Sequence, residues 1–542
     1  MVDFEMSDTV PLIHGSKLAL DIASLIGGEN VKTDAETRNL YSQDIWLPIE
    51  HTVDMVVSPG SLEELQEVLS LSHKAGAFIA PRGSGMSYTG GYVPAGPRTV
   101  SLDMSRMNRI LSISRDDMTV TVESGVTWKQ LNDALNPLGL RTPFWGPMSG
   151  LKSTIGGGIS QLNAMFGAAH HGTSSESVVA MTVVAADGSV IRTGARGVGG
   201  DEPFYRHFGP DLAGLFCGDC GALGVKAEIT LRLMTMPNHD LQSSFSFKTG
   251  EDLLLAMAEL SRAGVACELC AFDPGLTKVR LTRASLTADV KTLGAVVGKE
   301  KSLLKGLMSA SKIAVSGRNI VGVDEYPLHV ICEGRSSAGV EWDMSEAERI
   351  VQKFNGKKIE NSIAKIIRSM PFPALNSMVG PTGEAWVPIH CVASLKNAPA
   401  IFDEVQAAYD AHAEEMKALS VQTGFLFTSM STNALIIEPV YFWPQGWREI
   451  HEDGMEASHI QKLTKRQENP AATDLVKLLR SELLDIFQKY GCGHFQIGRT
   501  YPYVNSRDET SIEILNAVKR VMDPNGTLNP GVLGLPARGD LS

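Results

Sequence analysis

The sequence predicts an α+β fold of more than one domain, and three observations carry that reading. Capped amphipathic helices alternate with short strand-like segments, some of the strands are joined by tight turns, and the texture changes after about Leu233, where glycine clusters thin out and longer helices begin. From Ser61, SLEELQEVLSLSHKAG reads as a helix: Ser61 and Glu64 stand as a capping box, Leu62, Leu65, Val68 and Leu69 form one apolar face, and Gly76 stops it. The apolar AFIAP then leads into a glycine-rich loop. RTVSLDM and MTVTVESG follow as short alternating strands, with Val120 and Val122 on one face. Thr127 and Gln130 make a second capping box before a helix carrying Trp128, Leu131 and Leu135, ended by Pro137 and Gly139. SVVAMTVVAADGSVI reads as strands around an Asp187-Gly188 hairpin turn, and GVKAEITLRLM as another strand.

Beyond Leu233, EDLLLAMAELSRAG and APAIFDEVQAAYDAHAEEMKALS are helical, with strand candidates YPLHVICEG, EAWVPIHCVAS and NALIIEPVYFWP between or after them. This is a second α+β domain. A helix in DLVKLLRSELLDIFQKYG precedes another glycine-bearing stretch, GCGHFQIGRTYPY, and the chain closes on SIEILNAVKRVMDPNGTLNPG. The boundaries expected are 1–240, 241–490 and 491–542.

Composition narrows the function classes. The 542 residues hold 49 Lys+Arg against 61 Asp+Glu, a formal net charge of −12, with 43% hydrophobic residues. That composition excludes a disordered chain, a collagen and a small disulfide scaffold. There is no basic block to bind nucleic acid or an anionic membrane. Seven cysteines without framework spacing fit a reducing compartment. The stretch MVDFEMSDTVPLIHG has acids where a signal peptide has bases, and no apolar run reaches the roughly 18 residues of a membrane span. The expectation is a soluble, cytoplasmic protein with no transmembrane segment; a homo-oligomer is compatible with it.

The 52 glycines are clustered. PRGSGMSYTGG, Pro81 to Gly91, lies between an apolar strand and a polar turn, and its glycines permit positive φ and let successive amides point at one diphosphate. A plain tight turn would use the same residues. The spacing is neither G-x-G-x-x-G nor G-x-x-x-x-G-K-[ST], so neither a nicotinamide nor a nucleoside triphosphate loop is indicated. WGPMSGLKSTIGGGISQLNAMFGAAHHGT, Trp145 to Thr173, is expected to be extended backbone beside a flat or anionic ligand, with Ser149, Thr154 and Ser160 as hydroxyl donors. GLFCGDCGALGV, Gly214 to Val225, is the third cluster.

PRGSGMSYTGG, STIGG followed by HHGT, VVAADGSV, LFCGDCGALGV and DPNGTLNPG together resemble the FAD-binding domain of the vanillyl-alcohol oxidase/p-cresol methylhydroxylase flavoproteins. The amino-terminal half is most similar to the D-lactate dehydrogenase and glycolate oxidase flavin-subunit branch. The resemblance covers roughly Tyr41 to Met234 and Gly491 to Gly534. It implies a split, two-subdomain FAD-binding domain with a central α+β cap over the flavin. By motif position, Pro81, Arg82, Gly83, Ser84, Gly85, Met86 and Ser87 hold the diphosphate. Ser149, Thr154, Gly157 and Gly158 line the flavin, and His171, Gly172 and Thr173 continue that wall. Gly221, Gly224 and Val225 approach the adenine side, and Asn529 stands in the closing loop. Asp219-Cys220 replaces the family's usual Ser-Glu, and Leu162 replaces a common Asn. No His lies between Pro81 and Gly91, which implies non-covalent FAD, with a covalent link from a cap histidine such as His390 as the alternative.

On the substrate side, the hydroxy-acid branch carries G-D-G-N-x-H and G-E-H-G-I-G metal-ligand elements, where this chain reads SMSTNALIIEP and GHFQIG. His494 falls at the Glu and Phe495 at the His, so no metal is expected. The stretch also resembles the phenol-oxidising branch, whose phenolate-binding Arg would be Arg499, followed by Thr500, with Tyr501 in place of a His. An Arg fork suits a carboxylate or a phenolate, and equally an anchor for the C-terminal segment. His390 and His494 are candidate bases and equally structural histidines. Tyr88, Tyr501 and Tyr503 are candidate hydrogen-bond donors, and the run Tyr441 to Trp447 is either pocket or core. Cys217/Cys220 and Cys267/Cys270 are too far apart in sequence for common zinc-ribbon spacing.

The implied function is FAD-dependent oxidation of an alcohol-type C–H in a small organic substrate, a 2-hydroxy acid of the D-lactate or glycolate type. A para-substituted phenol is the alternative substrate, and an FAD-binding electron-transfer subunit the alternative class. Oxygen, a quinone or a cytochrome would serve as acceptor.

Overall fold

The computed structural model describes residues 16–46, 50–196, 202–279 and 324–535. The amino-terminal stretch MVDFEMSDTVPLIHG lies outside them. The strands Met55–Val57, Thr99–Asp103 and Phe78–Arg82 pair in parallel, with Val31–Lys32 antiparallel at the edge. The helix Leu62–Lys74 lays Leu65, Val68 and Leu69 on this sheet, against Met55, Val57, Ile79, Val100 and Leu102. Ser61 caps it by accepting from the Glu64 amide at 3.2 Å, while the Glu64 carboxylate reaches back to Gly60 N rather than Ser61 N. The capping box is therefore shifted by one residue on its return arm.

A second, antiparallel sheet has the order Ile110–Ser114, Thr119–Glu123, Val225–Arg232, Val178–Val184, Val190–Arg192. The Asp187-Gly188 turn joins its last two strands, with Gly188 at φ +92°. Thr127 and Gln130 form the full reciprocal capping box ahead of Trp128–Leu135. The carboxy-terminal segment returns to the first sheet, where Ile79 N donates to Thr527 O and Asn529 N to Ile79 O.

Between these parts lies the cap. Its eight-stranded sheet runs Lys357–Ile359, His239–Phe247, Tyr326–Gly334, Glu268–Phe272, Gln422–Met430, Ala434–Trp443, Ala385–Pro388, with Cys391–Ser394 also on Ala434–Trp443. EAWVPIHCVAS is thus two strands broken at Ile389–His390. The helix Pro470–Lys489 is the last cap-side element before the closing segment.

One expectation is corrected. The STIGGGISQ stretch is not extended: Ile155–Gln161 is helical, capped by Thr154, whose Oγ1 accepts from Gly157 N at 3.1 Å. Its glycines are there for close approach. A Cβ on Gly156 would stand 2.5 Å from Ser124 Cβ, and one on Gly158 would stand 2.8 Å from Asn163 Nδ2. Packing outweighs the low intrinsic helix preference of glycine.

Candidate functional site

The glycine clusters converge. Gly83 sits so close to the second cluster that a Cβ there would lie 2.5 Å from Thr154 Oγ1, and a Cβ on Gly91 would lie 2.5 Å from Gln161 Nε2. Pro81 packs on Gly221, which is at φ +74°. A Cβ on Gly224 would press on Val183, and Val225 begins the strand behind it. Asn529 joins first and third clusters, its Nδ2 donating to Gly91 O at 2.8 Å and Cys220 O at 2.7 Å.

Within the first loop, Arg82 folds its guanidinium against Gly85, where a Cβ would collide with it. Its Nη1 donates to Tyr41 O and Gln43 O, and its guanidinium lies against the rings of Tyr41 and Tyr92 at 4.7 and 4.8 Å. Tyr92 OH donates toward Gly85 O and Ser87 O, and Asp44 accepts from Gly90 N at 2.7 Å. The amides of Ser84, Gly85, Met86 and Ser87 have no protein acceptor among the described residues. Successive free N–H groups in such a loop form an anion-binding concavity.

Ser149 is spent on Ser153, Oγ to Oγ 2.6 Å. His171, Gly172 and Thr173 line a cavity of about 370 Å³ with Arg232 and the tip of the cap hairpin, Met430 to Ala434. Burial holds the His171 imidazole down at about 4, so it is neutral at pH 7.

Asp219, where the resemblance has Ser-Glu, pairs with buried Lys226 at 2.6 Å and accepts from Gly221 N. Lys519 then ties this cluster to the closing loop, donating to Ala222 O, Leu528 O and Asp523. Cys220 accepts from Gly498 N, and Cys267 bonds Ile331 O in the cap sheet. Among the described residues no group of three or more His, Cys, Asp or Glu side chains is placed to hold a metal.

The expected catalytic residues fall into two places. Arg499 bridges the first and closing loops, with Nη1 on Gly90 O and Val93 O and Nη2 on Pro530 O. Burial pulls it down to about 10, against the opposing field of Asp44. His390, His494 and Tyr501 form a separate array under the cap. Tyr501 OH accepts from His390 N at 2.9 Å and bonds His390 Nδ1 at 3.0 Å, while His390 Nε2 lies 2.8 Å from Phe495 O. With the Nε2 proton on Phe495 O, Nδ1 accepts the phenolic proton and both ring nitrogens are satisfied. His494 donates Nδ1–H to His390 O at 3.0 Å and stacks on Tyr501 at 4.2 Å. Burial depresses His494 to about 4 and His390 well below its ordinary value. Tyr503 lies partly buried against the main core.

Sequence reading missed Gln161, Gln496 and Asp44. Gln496, at φ +50°, donates to Gln161 O through its amide and to Tyr88 OH through its side chain, and accepts from Ser87 Oγ. Its signal was the polar residue inside GHFQIG, where apolar packing alone would not ask for one.

These residues fit a bound FAD. Four unengaged loop amides suit a diphosphate, and Ser124 Oγ, Asn163 Oδ1 and Asn529 Oδ1 are buried at the junction of the clusters without protein partners. Buried polar atoms without partners are costly unless a ligand supplies one.

The fold and this cradle define an FAD-binding protein with a central α+β cap. Residues 53–194 match the FAD binding domain family. Among curated proteins, the chain is 30% identical to the probable mitochondrial D-lactate dehydrogenase of Danio rerio, over 45% of this chain and 47% of that one. It is 32% identical to glycolate oxidase subunit GlcD of Bacillus subtilis, over 39% and 43%. It is 24% identical to alkyldihydroxyacetonephosphate synthase of Trypanosoma brucei brucei, over 59% and 52%. These matches span about a third to a half of the relatives' length. Among solved structures, p-cresol methylhydroxylase with substrate bound superposes with a TM-score of 0.70 at 18% identity, over 96% of both chains. An alkyldihydroxyacetonephosphate synthase superposes at 0.68 and 17% identity, over 98% of this chain and 88% of that one. These superpositions extend the likeness of fold over nearly the whole chain. No helix among the described residues is long and apolar enough to cross a membrane. D-lactate dehydrogenase relatives are named as mitochondrial, so they lend the cytoplasmic expectation no support.

Proposed function

We propose that the chain is an FAD-dependent oxidoreductase that removes a hydride from the alcohol-type carbon of a small organic substrate, with 2-hydroxy acids of the D-lactate or glycolate kind as the first class. The observation that carries this reading is the convergence of three glycine clusters and Asn529 on one cradle whose loop amides and buried acceptors lack protein partners. Two relatives carry D-lactate dehydrogenase and glycolate oxidase in their names.

FAD, when bound, supplies the hydride acceptor. Pro81 to Ser87 hold its diphosphate, Thr154, Gly157 and Gly158 line its ring system, and Gly221, Gly224 and Val225 back the adenine side. We assign Arg499 to anchoring, since its donors are spent on carbonyls of the first and closing loops. His390 positions Tyr501 and the Phe495 backbone. His494 is the proton acceptor: with Nδ1–H committed to His390 O, its neutral ring presents Nε2 as a lone pair for a substrate hydroxyl.

A para-substituted phenol is the second reading, favoured by the edge-on pair Tyr88 and Trp386, ring centroids 5.8 Å apart, where the first loop meets the cap. The electron acceptor belongs to a partner or to solvent; the relative named as a subunit is consistent with a partner. Anaerobic mixing of the holoprotein with D-lactate, glycolate and p-cresol tests this. Bleaching of the flavin by a hydroxy acid is expected, bleaching by p-cresol alone selects the second reading, and no bleaching by any of them overturns substrate oxidation in favour of an electron-transfer subunit.

A further inference from the structure

Among the described residues, several buried or half-buried cations are paired. Arg141 meets Glu333, Lys226 meets Asp219, Lys519 meets Asp523, and Arg368 meets Glu268 and Glu333. Arg82 and Arg499 lack carboxylates but direct their guanidinium groups at carbonyls and rings. Arg480 is different.

Arg480 is 4% exposed and lies midway along the helix Pro470–Lys489. Its Nη1 donates to Pro388 O, its guanidinium stands 5.0 Å from the Trp46 ring, and its Nη2 is buried with no partner. Among the described residues it forms no ion pair. The field of Asp44 reaches it, but that carboxylate accepts from Trp46 N and Gly90 N and acts on Arg448 and Arg499 as well. A guanidinium held in the interior without a counter-charge is unfavourable unless a ligand brings one.

The neighbours supply the rest of a receptor. Pro388, whose carbonyl accepts from Arg480, ends the strand Ala385–Pro388, on which Val387 pairs with Tyr441 and Trp386 meets the Tyr88 ring at 5.8 Å. Tyr501 OH accepts from His390 N two residues further on, and these three phenols act on the Arg480 charge. Tyr441 OH accepts from Tyr409 OH, and Tyr88 OH accepts from Gln496 Nε2, so each keeps its own proton to donate. Tyr88 belongs to the first glycine loop and Tyr501 to the histidine array, so this cluster joins the cofactor cradle to the proposed proton acceptor.

We propose that Arg480, with the Tyr88 and Tyr441 hydroxyls, is the receptor for the anionic group of the substrate, a planar oxyanion that is either a carboxylate or a phenolate. The proposal deepens the oxidoreductase reading and rests on it for the identity of the ligand as substrate. The guanidinium supplies the fixed charge and Nη2–H, and the phenols supply the flanking donors. The anion orients the substrate carbon with respect to His494, so the substrates are acids or acidic phenols.

The test uses the holoprotein and two non-reacting probes, oxalate for a carboxylate and 4-hydroxybenzaldehyde for a phenolate, read by perturbation of the flavin spectrum. Binding of at least one probe is expected, weakened at least 100-fold in Arg480→Met and about 10-fold in Tyr441→Phe, with Arg480→Lys between wild type and Arg480→Met. FAD content is read from the same spectra; if Arg480→Met fails to fold, Tyr441→Phe and Arg480→Lys carry the test. Unchanged probe affinity in folded, FAD-loaded variants overturns the proposal, as does wild type binding neither probe. The two readings fail separately. Arg480-dependent probe binding without substrate bleaching keeps the anion site and removes the oxidase or dehydrogenase reading, whereas bleaching with an unchanged KM in Arg480→Met does the reverse.

Discussion

Gly83 offers the sharpest test of the cofactor cradle, because one contact there decides two outcomes. In Gly83→Ala the new methyl would lie 2.5 Å from Thr154 Oγ1, while Thr154 Cβ and Cγ2 stay at 3.6 Å. The methyl is therefore about 1 Å too close to a single oxygen, and overpacking of this kind costs about 1–3 kcal/mol. Thr154 cannot swing away freely, since the same oxygen accepts from Gly157 N and starts the helix Ile155–Gln161. Thr154→Ala alone gives up that cap, at about 1 kcal/mol. In the double variant the clash is gone, so its total cost returns to roughly that of the lost cap. The expected coupling is about 1–3 kcal/mol in the stabilising direction, or roughly 5- to 150-fold in FAD affinity. Titrating apoprotein with FAD by quenching of flavin fluorescence, alongside Tm, measures all four corners. Wild-type FAD affinity in Gly83→Ala, or strictly additive single effects, would refute the close approach of the two clusters.

Three further outcomes follow from the geometry. Acid or heat precipitation should leave the yellow colour in solution, because His390 has both ring nitrogens committed to Phe495 O and Tyr501 OH; flavin retained in the pellet would show a covalent bond instead. Arg141→Met should lower stability by about 3–5 kcal/mol in denaturant melts, since Glu333 keeps only Arg368 to offset its buried charge, and a loss below about 1 kcal/mol would count against that network. His451 is buried, and desolvation beside Arg448 pulls it down to about 4, so the unfolded chain binds its proton first. Its contribution is full above pH 6.5 and is lost between about 6.5 and 4; Tm should therefore fall less steeply over that window in His451→Gln than in wild type, and parallel profiles would remove His451 as a cause.

The legible parts of this protein are those fixed by short-range chemistry. Thr127 with Gln130 and the Asp187-Gly188 turn appear in the structure as the sequence predicts, because each depends on residues a few positions apart. The glycine clusters were readable as a cradle, but not their local form: three consecutive glycines argue against a helix until Ser124 and Trp128 close on Ile155–Gln161 from elsewhere in the chain. Similarly, APAIFDEVQAAYDAHAEEMKALS carries one helical pattern yet forms Ala398–Ala411 and Ala413–Ala418, with the break at His412. On the substrate side the limit is more basic. Whether a histidine is a base or a latch depends on what its two nitrogens meet, and for His390 both partners lie more than a hundred residues away.

The arginines make the same point in terms of charge. Arg82, Arg480 and Arg499 are one residue type, the first two buried and the third half-buried, and none is ion-paired with a carboxylate among the described residues, yet their surroundings assign them different work. Arg82 lies between two tyrosine rings and bonds two carbonyls, which pins the segment ahead of the glycine loop. Arg499 bonds carbonyls on both sides of the seam between the first and closing loops, so its removal should open the cradle rather than spare it and lose substrate alone. Motif position favoured Arg499 as the substrate ligand because sequence similarity preserves where an arginine stands but carries no information about which donors remain unspent. Arg480, outside every motif, retains an unspent donor in a buried, aromatic surrounding. For a substrate that brings a negative charge, affinity follows the uncompensated cation, and the cost of keeping that cation buried in the empty protein is the free energy that anion binding releases.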